Sequence, residues 1–176
     1  LLLPKFLLEA DHLVKLPILK AHASMVFSGA LKNIKGVVQD KVHMQMHQHN
    51  LTMAMMDVWS ACRADINIMD AMHAASGYSP HMPVPMDTTM ILGSKDPVAI
   101  DRVACEVTGI DTTCVDYFKV AAEVGLGNYD MDMIDVVGNT IEESYKKMWI
   151  PYIGDMSTRW PEYDVRCEGA CSSCQA

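Results

Sequence analysis

The sequence predicts an α/β protein with a mostly parallel mixed sheet, crossover helices and a C-terminal extension that contains cysteines. Short apolar segments of strand type alternate along the chain with segments whose apolar residues recur at helical spacing, which favours crossover connections. Half of the 176 residues are apolar, so the chain buries the core of one domain. We expect this domain over residues 1–145 and an irregular extension over residues 146–176.

Composition and charge exclude two classes of protein. The net charge of −8 and the lack of a basic stripe argue against nucleic-acid binding, which needs clustered lysines and arginines. No apolar run approaches the roughly 20 residues of a membrane-spanning helix. The six cysteines do not form the even framework of a secreted scaffold, so we expect a cytoplasmic protein.

Neither end of the sequence resembles a natural terminus. The apolar start lacks a basic region, an initial Met and a cleavage site, so it is not typical of a signal peptide. The last residues stop within a cysteine cluster. We therefore expect that an N-terminal part of the domain precedes residue 1 and that the cluster is truncated.

Three elements are expected in the first third of the chain. Asp11–Ala21 is typical of a strand that leaves the core near Lys20. Ser28 precedes a small-residue turn and is the expected N-cap of the helical stretch that follows. From His43 to Cys62 the chain lacks Gly and Pro, and its apolar spacing predicts an amphipathic helix.

The middle of the chain continues the alternation. Ile66–Asp70 is predicted as a short buried strand, followed by a loop over Gly77–Pro85 and a strand over Thr88–Leu92. A helix over Pro97–Thr108 should begin with Pro in its first turn and take Asp96 as its cap. Within it, Asp101 is expected to favour the dipole of its own helix.

Two more elements complete the prediction. Asp116–Val124 has helical spacing and ends at Gly125, where glycine supplies the left-handed conformation of a helix end. Ile134–Gly138 is predicted as a short strand.

Lys20, His22, Lys32 and Asn33 form the first candidate site. They are expected at one strand exit and one helix start, where two ammonium groups, an imidazole and an amide suit a small anionic ligand. His22 is a candidate proton carrier near neutral pH. Asp70, at the expected end of its strand, is a candidate general base or metal ligand, because open α/β sheets bind ligands there.

The strongest local motif is the C-x3-C-x2-C cluster of Cys167, Cys171 and Cys174 on a short loop rich in small residues. Close thiolates of this kind wrap a soft metal centre, so we expect an iron-sulfur cluster, with zinc and free or disulfide-linked cysteines as alternatives. A fourth ligand would come from Cys62, Cys105, Cys114, a histidine or residues beyond the sequence.

A histidine- and methionine-rich stretch begins at His43. His43 and His47 lie four residues apart, so one helix face would present both to a transition metal, with Met44 and Met46 as soft neighbours.

Several segments, in order and spacing, resemble the domain-of-unknown-function 362 family. They are Val14–His22, Ser28–Asn33, Met69–Ala71, Asp96–Ala104 and Ala121–Gly127 with Val136–Gly138. The resemblance implies an α/β fold of unestablished activity that is sometimes joined to iron-sulfur modules. It also implies that His49 reaches the site of Lys20 and His22, since the family often has a histidine soon after this helix. Ala21, where the family usually has Thr, and Ala75–Pro80, in place of an acidic loop, depart from the pattern.

Together these features predict a metalloprotein with a redox role. The ligand would bind at Lys32, Asn33 and His49, with Lys20, His22 and Asp70 as catalytic residues and a redox protein as partner. The alternatives are a non-catalytic binding or assembly module with structural zinc, which favours four protein ligands, and a His/Met-rich transition-metal binding protein.

Overall fold

The computed structural model describes residues 2–39, 42, 45, 46 and 50–150. Over them the chain forms a mixed sheet of five strands, with helices packed on one side, so the predicted α/β class is confirmed. None of the helices in this part of the chain has the length and hydropathy needed to cross a bilayer. The division at residue 145 stays a prediction.

The strands and helices follow in chain order. The strands are β1 (Val14–Lys15), β2 (Ile18–His22), β3 (Val26–Ser28), β4 (Ile66–Tyr78) and β5 (Met82–Ser94). The α-helices of the described residues are α1 (Lys5–Leu8), α2 (Ala30–Asn33), α3 (Leu51–Ala61), α4 (Pro97–Thr108), α5 (Asp116–Glu123) and α6 (Ile141–Ser144). Short 3₁₀ turns cover Ile34–Val37, Thr112–Cys114 and Met131–Met133.

The long strand β4 is the centre of the sheet. Both β1 and β2 pair with one of its sides in parallel, and β5 pairs with the other side in an antiparallel hairpin. An antiparallel pairing with β2 adds β3. The predicted strand over Asp11–Ala21 is thus confirmed, with a break at Leu16 and Pro17.

One face of the sheet carries the hydrophobic core, because side chains alternate between the two faces of a strand. Leu19, Ala21 and Met69 are fully buried on this face. Two buried hydrogen bonds hold the helices in place over it: the Trp59 indole of α3 donates to the Leu31 carbonyl of α2 at 2.9 Å, and the Tyr117 hydroxyl of α5 donates to the Phe27 carbonyl of β3 at 2.8 Å. The largest fully buried side chains are Trp59, Tyr117, Phe27, Phe118, Leu19 and Leu31.

The helices in the second half of the chain agree with the prediction. Oδ1 of Asp96 accepts hydrogen bonds from the amides of Val98 and Ala99, at 2.8 and 2.9 Å, and α4 spans the predicted residues. The helix predicted over Asp116–Val124 is confirmed as α5.

Three expectations about local structure are wrong. The strand expected to end at Asp70 runs on to Tyr78, and most of the loop expected over Gly77–Pro85 is strand, with the turn at residues 79–81. Prolines are tolerated there because β5 lies at the edge of the described sheet. Ile134–Gly138 forms no strand, since no neighbouring strand pairs with it in the described structure.

The helix expected from His43 is seen in part. Residues 45 and 46 are helical, but Asn50 has an extended backbone, so the predicted single helix is wrong. Asn50 caps a new helix, α3, and its side chain accepts from the Met53 amide at 3.0 Å. Residues 43, 44 and 47–49, which include His43 and His47, lie outside the described residues.

Candidate functional site

Lys20 and His22 lie on the sheet face opposite the core. They alternate with the fully buried Leu19 and Ala21 along β2, so their side chains point away from the helices. We call this side the open face and define it by Val14, Ile18, Lys20, His22, Ile68, Asp70, Met72 and Ile91. Its aliphatic side chains are well exposed; Ile18, for example, is 51% exposed.

Asp70 also belongs to the open face, although it does not end a strand. It is the register partner of Ile18, two residues before Lys20, and directly paired residues project to the same face. The Asp70 carboxylate is exposed and accepts from the Met72 amide at 2.9 Å. The three predicted catalytic residues therefore share one face, but the expected position of Asp70 at a strand end is wrong.

The His22 ring closes the turn between β2 and β3. Its Nδ1 lies 3.2 Å from the amide nitrogens of Ser24 and Met25 and 3.2 Å from the Ser24 hydroxyl. Because backbone amides only donate, Nδ1 is an acceptor and carries no proton in this arrangement. Any proton exchanged with a ligand would pass through Nε2.

Lys20, Lys32 and Lys35 form a positively charged group, which we call the lysine cluster. Burial, together with the positive charges of Lys35 and Lys20, lowers the pKa of Lys32 to about 8. Burial also lowers the pKa of Lys35. Within the described part of the chain, neither Lys20 nor Lys32 forms an ion pair with a carboxylate. Asn33 is exposed at the end of α2, next to Lys32.

The start of α2 is occupied by Asp101 rather than available to a ligand. The Asp101 carboxylate accepts from the amides of Ala30 and Leu31 at 2.6 and 2.8 Å. Gly29 is required at this contact, since a Cβ there would collide with the carboxylate. The expected cap at Ser28 is therefore wrong, because Ser28 ends β3. The expected role of Asp101 on its own helix is also wrong, because it caps a different one.

The positive charge of Lys15 favours the ionised form of the buried Asp101 carboxylate. The Lys15 ammonium donates to the Ala30 carbonyl at 3.2 Å and lies 4.1 Å from the centre of the Trp59 ring. Burial raises the pKa of Asp101 to about 7, whereas it lowers the pKa of Lys15 to about 7. The contacts of Lys15 and Asp101 connect β1, α2, α3 and α4.

The predicted metal ligands Cys167, Cys171 and Cys174 lie outside the described residues, as does His49. Cys62 and Cys105 are buried in the core, and burial raises the pKa of each thiol. Both are poor sources of the thiolate that a metal needs. Among the described side chains, no group of three or more histidines, cysteines and acidic residues is arranged to hold a metal ion.

A cavity of about 700 Å³ lies beside β5. Residues of β5 and α4 line it together with the segment 134–146. None of the predicted site residues borders it. The candidate anion site is therefore separate from this cavity.

Lys15 and Lys35 were not among the residues predicted from the sequence. Lys35 follows Lys32 by three residues, and that spacing on a helical segment signals neighbouring side chains. Lys15 occupies the same alternating positions as Leu19 and Ala21, a pattern that indicates burial. Nothing local in the sequence indicates that Asp101 reaches the amides of Ala30 and Leu31.

Comparisons with known proteins give two matches. A protein family described as a domain of unknown function (DUF362) matches residues 1–106, which include the open face and the lysine cluster. A thylakoid-associated protein of Synechocystis sp. is 25% identical over 130 residues, which are 70% of this chain and 40% of that protein. This chain thus spans well under two thirds of the relative's length. No solved structure matches.

Proposed function

The chain belongs to the DUF362 family, and we propose that it binds a small anionic ligand at the lysine cluster. We further propose that it acts as a redox protein. The observation that carries the first part is that neither Lys20 nor Lys32, whose positive charges repel each other, has a carboxylate partner among the described residues. A carboxylate or phosphate would neutralise the positive charges of Lys20 and Lys32.

Charge and exposure support a ligand here rather than an internal ion pair. Gathering like charges in a partly buried position is unfavourable unless an anion compensates them. Lys20 and Lys32 have no carboxylate partner in the described structure. Charge-assisted hydrogen bonds from ammonium groups to an anion are about twice as strong as neutral ones.

We propose that further residues complete the site. In our proposal Asn33, which is exposed next to Lys32, donates its amide to the ligand. His22 and Asp70 share the open face with Lys20, and in our proposal they exchange protons with the ligand. Because Nδ1 of His22 accepts backbone hydrogen bonds, Nε2 takes that role. His49 remains a predicted ligand-binding residue.

The redox part of the proposal depends on the chemistry of the donor set. Cys167, Cys171 and Cys174 offer three closely spaced thiolates, which suit an iron-sulfur cluster. Such a cluster would supply one-electron transfer. We propose that a redox protein exchanges these electrons.

Anion binding is tested by titrating the chain with inorganic phosphate and with a small dicarboxylate in a calorimeter. We expect binding that is at least tenfold weaker in Lys20→Ala and Lys32→Ala. Lys119→Ala, which removes an exposed lysine of α5, should bind as the parent chain does. Affinity should also fall as pH rises through about 8, where Lys32 loses its charge. Equal binding by all three variants contradicts the proposed site.

The metal is tested by anaerobic purification, absorption spectroscopy and analysis for iron, sulfide and zinc. We expect iron with sulfide, lost on replacing Cys167, Cys171 and Cys174 by Ser. Stoichiometric zinc would contradict the redox role and support the structural alternative. Copper or nickel that is lost with His43 and His47 would support the transition-metal alternative.

The location of the protein in the cell is a separate question. The relative in Synechocystis sp. is named for its thylakoid association. For this chain, a cytoplasmic location stays our prediction. Cell fractionation with an antibody to the chain tests it, and recovery with the membranes would contradict it.

A further inference from the structure

The helix α2 is too short to be stable by itself. It spans the four residues Ala30–Asn33, whereas isolated helices shorter than about 12 residues are marginal in water. The Asn33 amide closes its turn by donating to the Gly29 carbonyl at 3.0 Å. Contacts with other elements therefore fix the position of α2, and with it the positions of Lys32 and Asn33 in the proposed anion site.

Three side chains from other elements bond to the backbone of α2. The Asp101 carboxylate of α4 accepts from the Ala30 and Leu31 amides at 2.6 and 2.8 Å. The Lys15 ammonium of β1 donates to the Ala30 carbonyl at 3.2 Å. The Trp59 indole of α3 donates to the Leu31 carbonyl at 2.9 Å. We call Lys15, Trp59 and Asp101 the α2 clamp.

The members of the α2 clamp also act on one another. All three side chains are buried. The Lys15 ammonium lies 4.1 Å from the centre of the Trp59 ring, and its charge favours the ionised form of Asp101. A buried polar group that loses its hydrogen-bond partner is costly, so a displacement of α2 would leave several groups of the clamp unsatisfied at once. The clamp therefore holds the helix in one position.

The clamped residues lie directly before those of the anion site. Ala30 and Leu31 form all four hydrogen bonds with the α2 clamp, and Lys32 and Asn33 follow in the same turn. Because a single turn moves as a unit, a shift of the clamped residues displaces Lys32 and Asn33 with them. Binding sites depend on side chains that are held within about 0.5 Å of their productive positions.

We propose that Lys15, Trp59 and Asp101 are positioning residues of the anion site, which hold Lys32 and Asn33 in place through the backbone of α2. This inference rests on the anion binding proposed above. The three side chains act through the helix and do not contact the anion. Coupling between two sites is reciprocal, so a bound anion should in turn stabilise the hydrogen bonds of the α2 clamp.

Trp59→Phe tests the positioning role without a change of charge. It removes the hydrogen bond to the Leu31 carbonyl and keeps an aromatic ring in the core. Tyr117→Phe is the matched control, because it removes a buried hydrogen bond of similar length, 2.8 Å, to the Phe27 carbonyl of β3. Both variants should be less stable than the parent chain. In calorimetric titrations with inorganic phosphate at one fixed pH, only Trp59→Phe should bind at least fivefold more weakly.

Hydrogen exchange followed by nuclear magnetic resonance tests the parent chain itself, whether or not Trp59→Phe folds. We expect saturating phosphate to slow exchange of the Trp59 indole N–H and of the Leu31 amide at least fivefold, because the bound anion keeps α2 closed. The control is the Met148 amide, which donates to the Thr108 carbonyl at 2.8 Å, outside the α2 clamp. Its exchange rate should not change.

The outcomes distinguish this inference from the anion binding on which it rests. A parent chain that binds no phosphate would overturn both. Phosphate binding that is equally strong in Trp59→Phe and Tyr117→Phe would overturn the positioning role but not the anion site. Exchange that phosphate slows equally at Trp59 and Met148, or at neither, would overturn the positioning role as well.

Discussion

Replacement of the buried Asp101 by Asn should change how stability depends on pH. Asp101 is fully buried, and burial raises its pKa to about 7 from the ordinary 3.8. Between these two pH values the folded chain keeps a proton that the unfolded chain has lost. The free energy of unfolding therefore falls as pH rises through this window.

The size of the effect follows from the pKa shift. Each unit of difference is worth about 1.4 kcal/mol, so the contribution of Asp101 falls by up to about 4 kcal/mol between pH 4 and pH 7. Asn cannot ionise, and the variant lacks this fall. The stability lost in Asp101→Asn should therefore be largest near pH 4 and should shrink towards pH 7.

Urea denaturation at half-unit pH steps, followed by circular dichroism, measures this difference. Asp57→Asn, at an exposed position of α3, is the matched control, and its change should stay within about 0.5 kcal/mol at every pH. The reasoning is refuted if the parent and Asp101→Asn profiles run parallel. It is refuted equally if the cost of the substitution grows as pH rises.

Two further predictions concern the packing of the second half of the chain. Gly127→Ala should lower the free energy of unfolding by about 2 kcal/mol, because the added Cβ would collide with the Asp96 carboxylate that caps α4. Urea denaturation measures this loss, and an unchanged midpoint would contradict the prediction. Tyr117→Phe should cost about 1–3 kcal/mol, because it leaves the buried Phe27 carbonyl without its 2.8 Å hydrogen bond; thermal unfolding checks this, and a melting temperature equal to that of the parent would contradict it.

Local signals in the sequence were sufficient for part of the fold. Asp96 followed by Pro97 contains the cap and the first turn of α4 within a few residues, and the helix forms where predicted. The alternation that ends at Lys20 and His22 likewise predicted β2 and brought these two side chains to one face. Both patterns involve residues that are neighbours in the sequence, so they can be recognised without knowledge of the fold.

Other features depend on distant residues and were not visible. The amides that begin α2 donate to Asp101, which lies 71 residues after Ala30. Ser28 was therefore predicted to be the cap, whereas in the folded chain Asp101 caps the helix. Asp70 was placed at a strand end because the pairing of β4 with β5 as far as Tyr78 is a property of two segments. Residues 134–138 have a propensity for strand but no pairing partner in the described structure.

The titration of Lys32 tests the central claim, that the lysine cluster binds an anion. Nuclear magnetic resonance of chains with isotope-labelled lysine follows each ammonium group, with Lys32→Arg identifying the signal. We predict a Lys32 pKa of about 8 in the free chain and a higher one with phosphate, because a bound anion favours the charged form. A Lys32 that titrates with the exposed lysines, unchanged by phosphate, would contradict the claim.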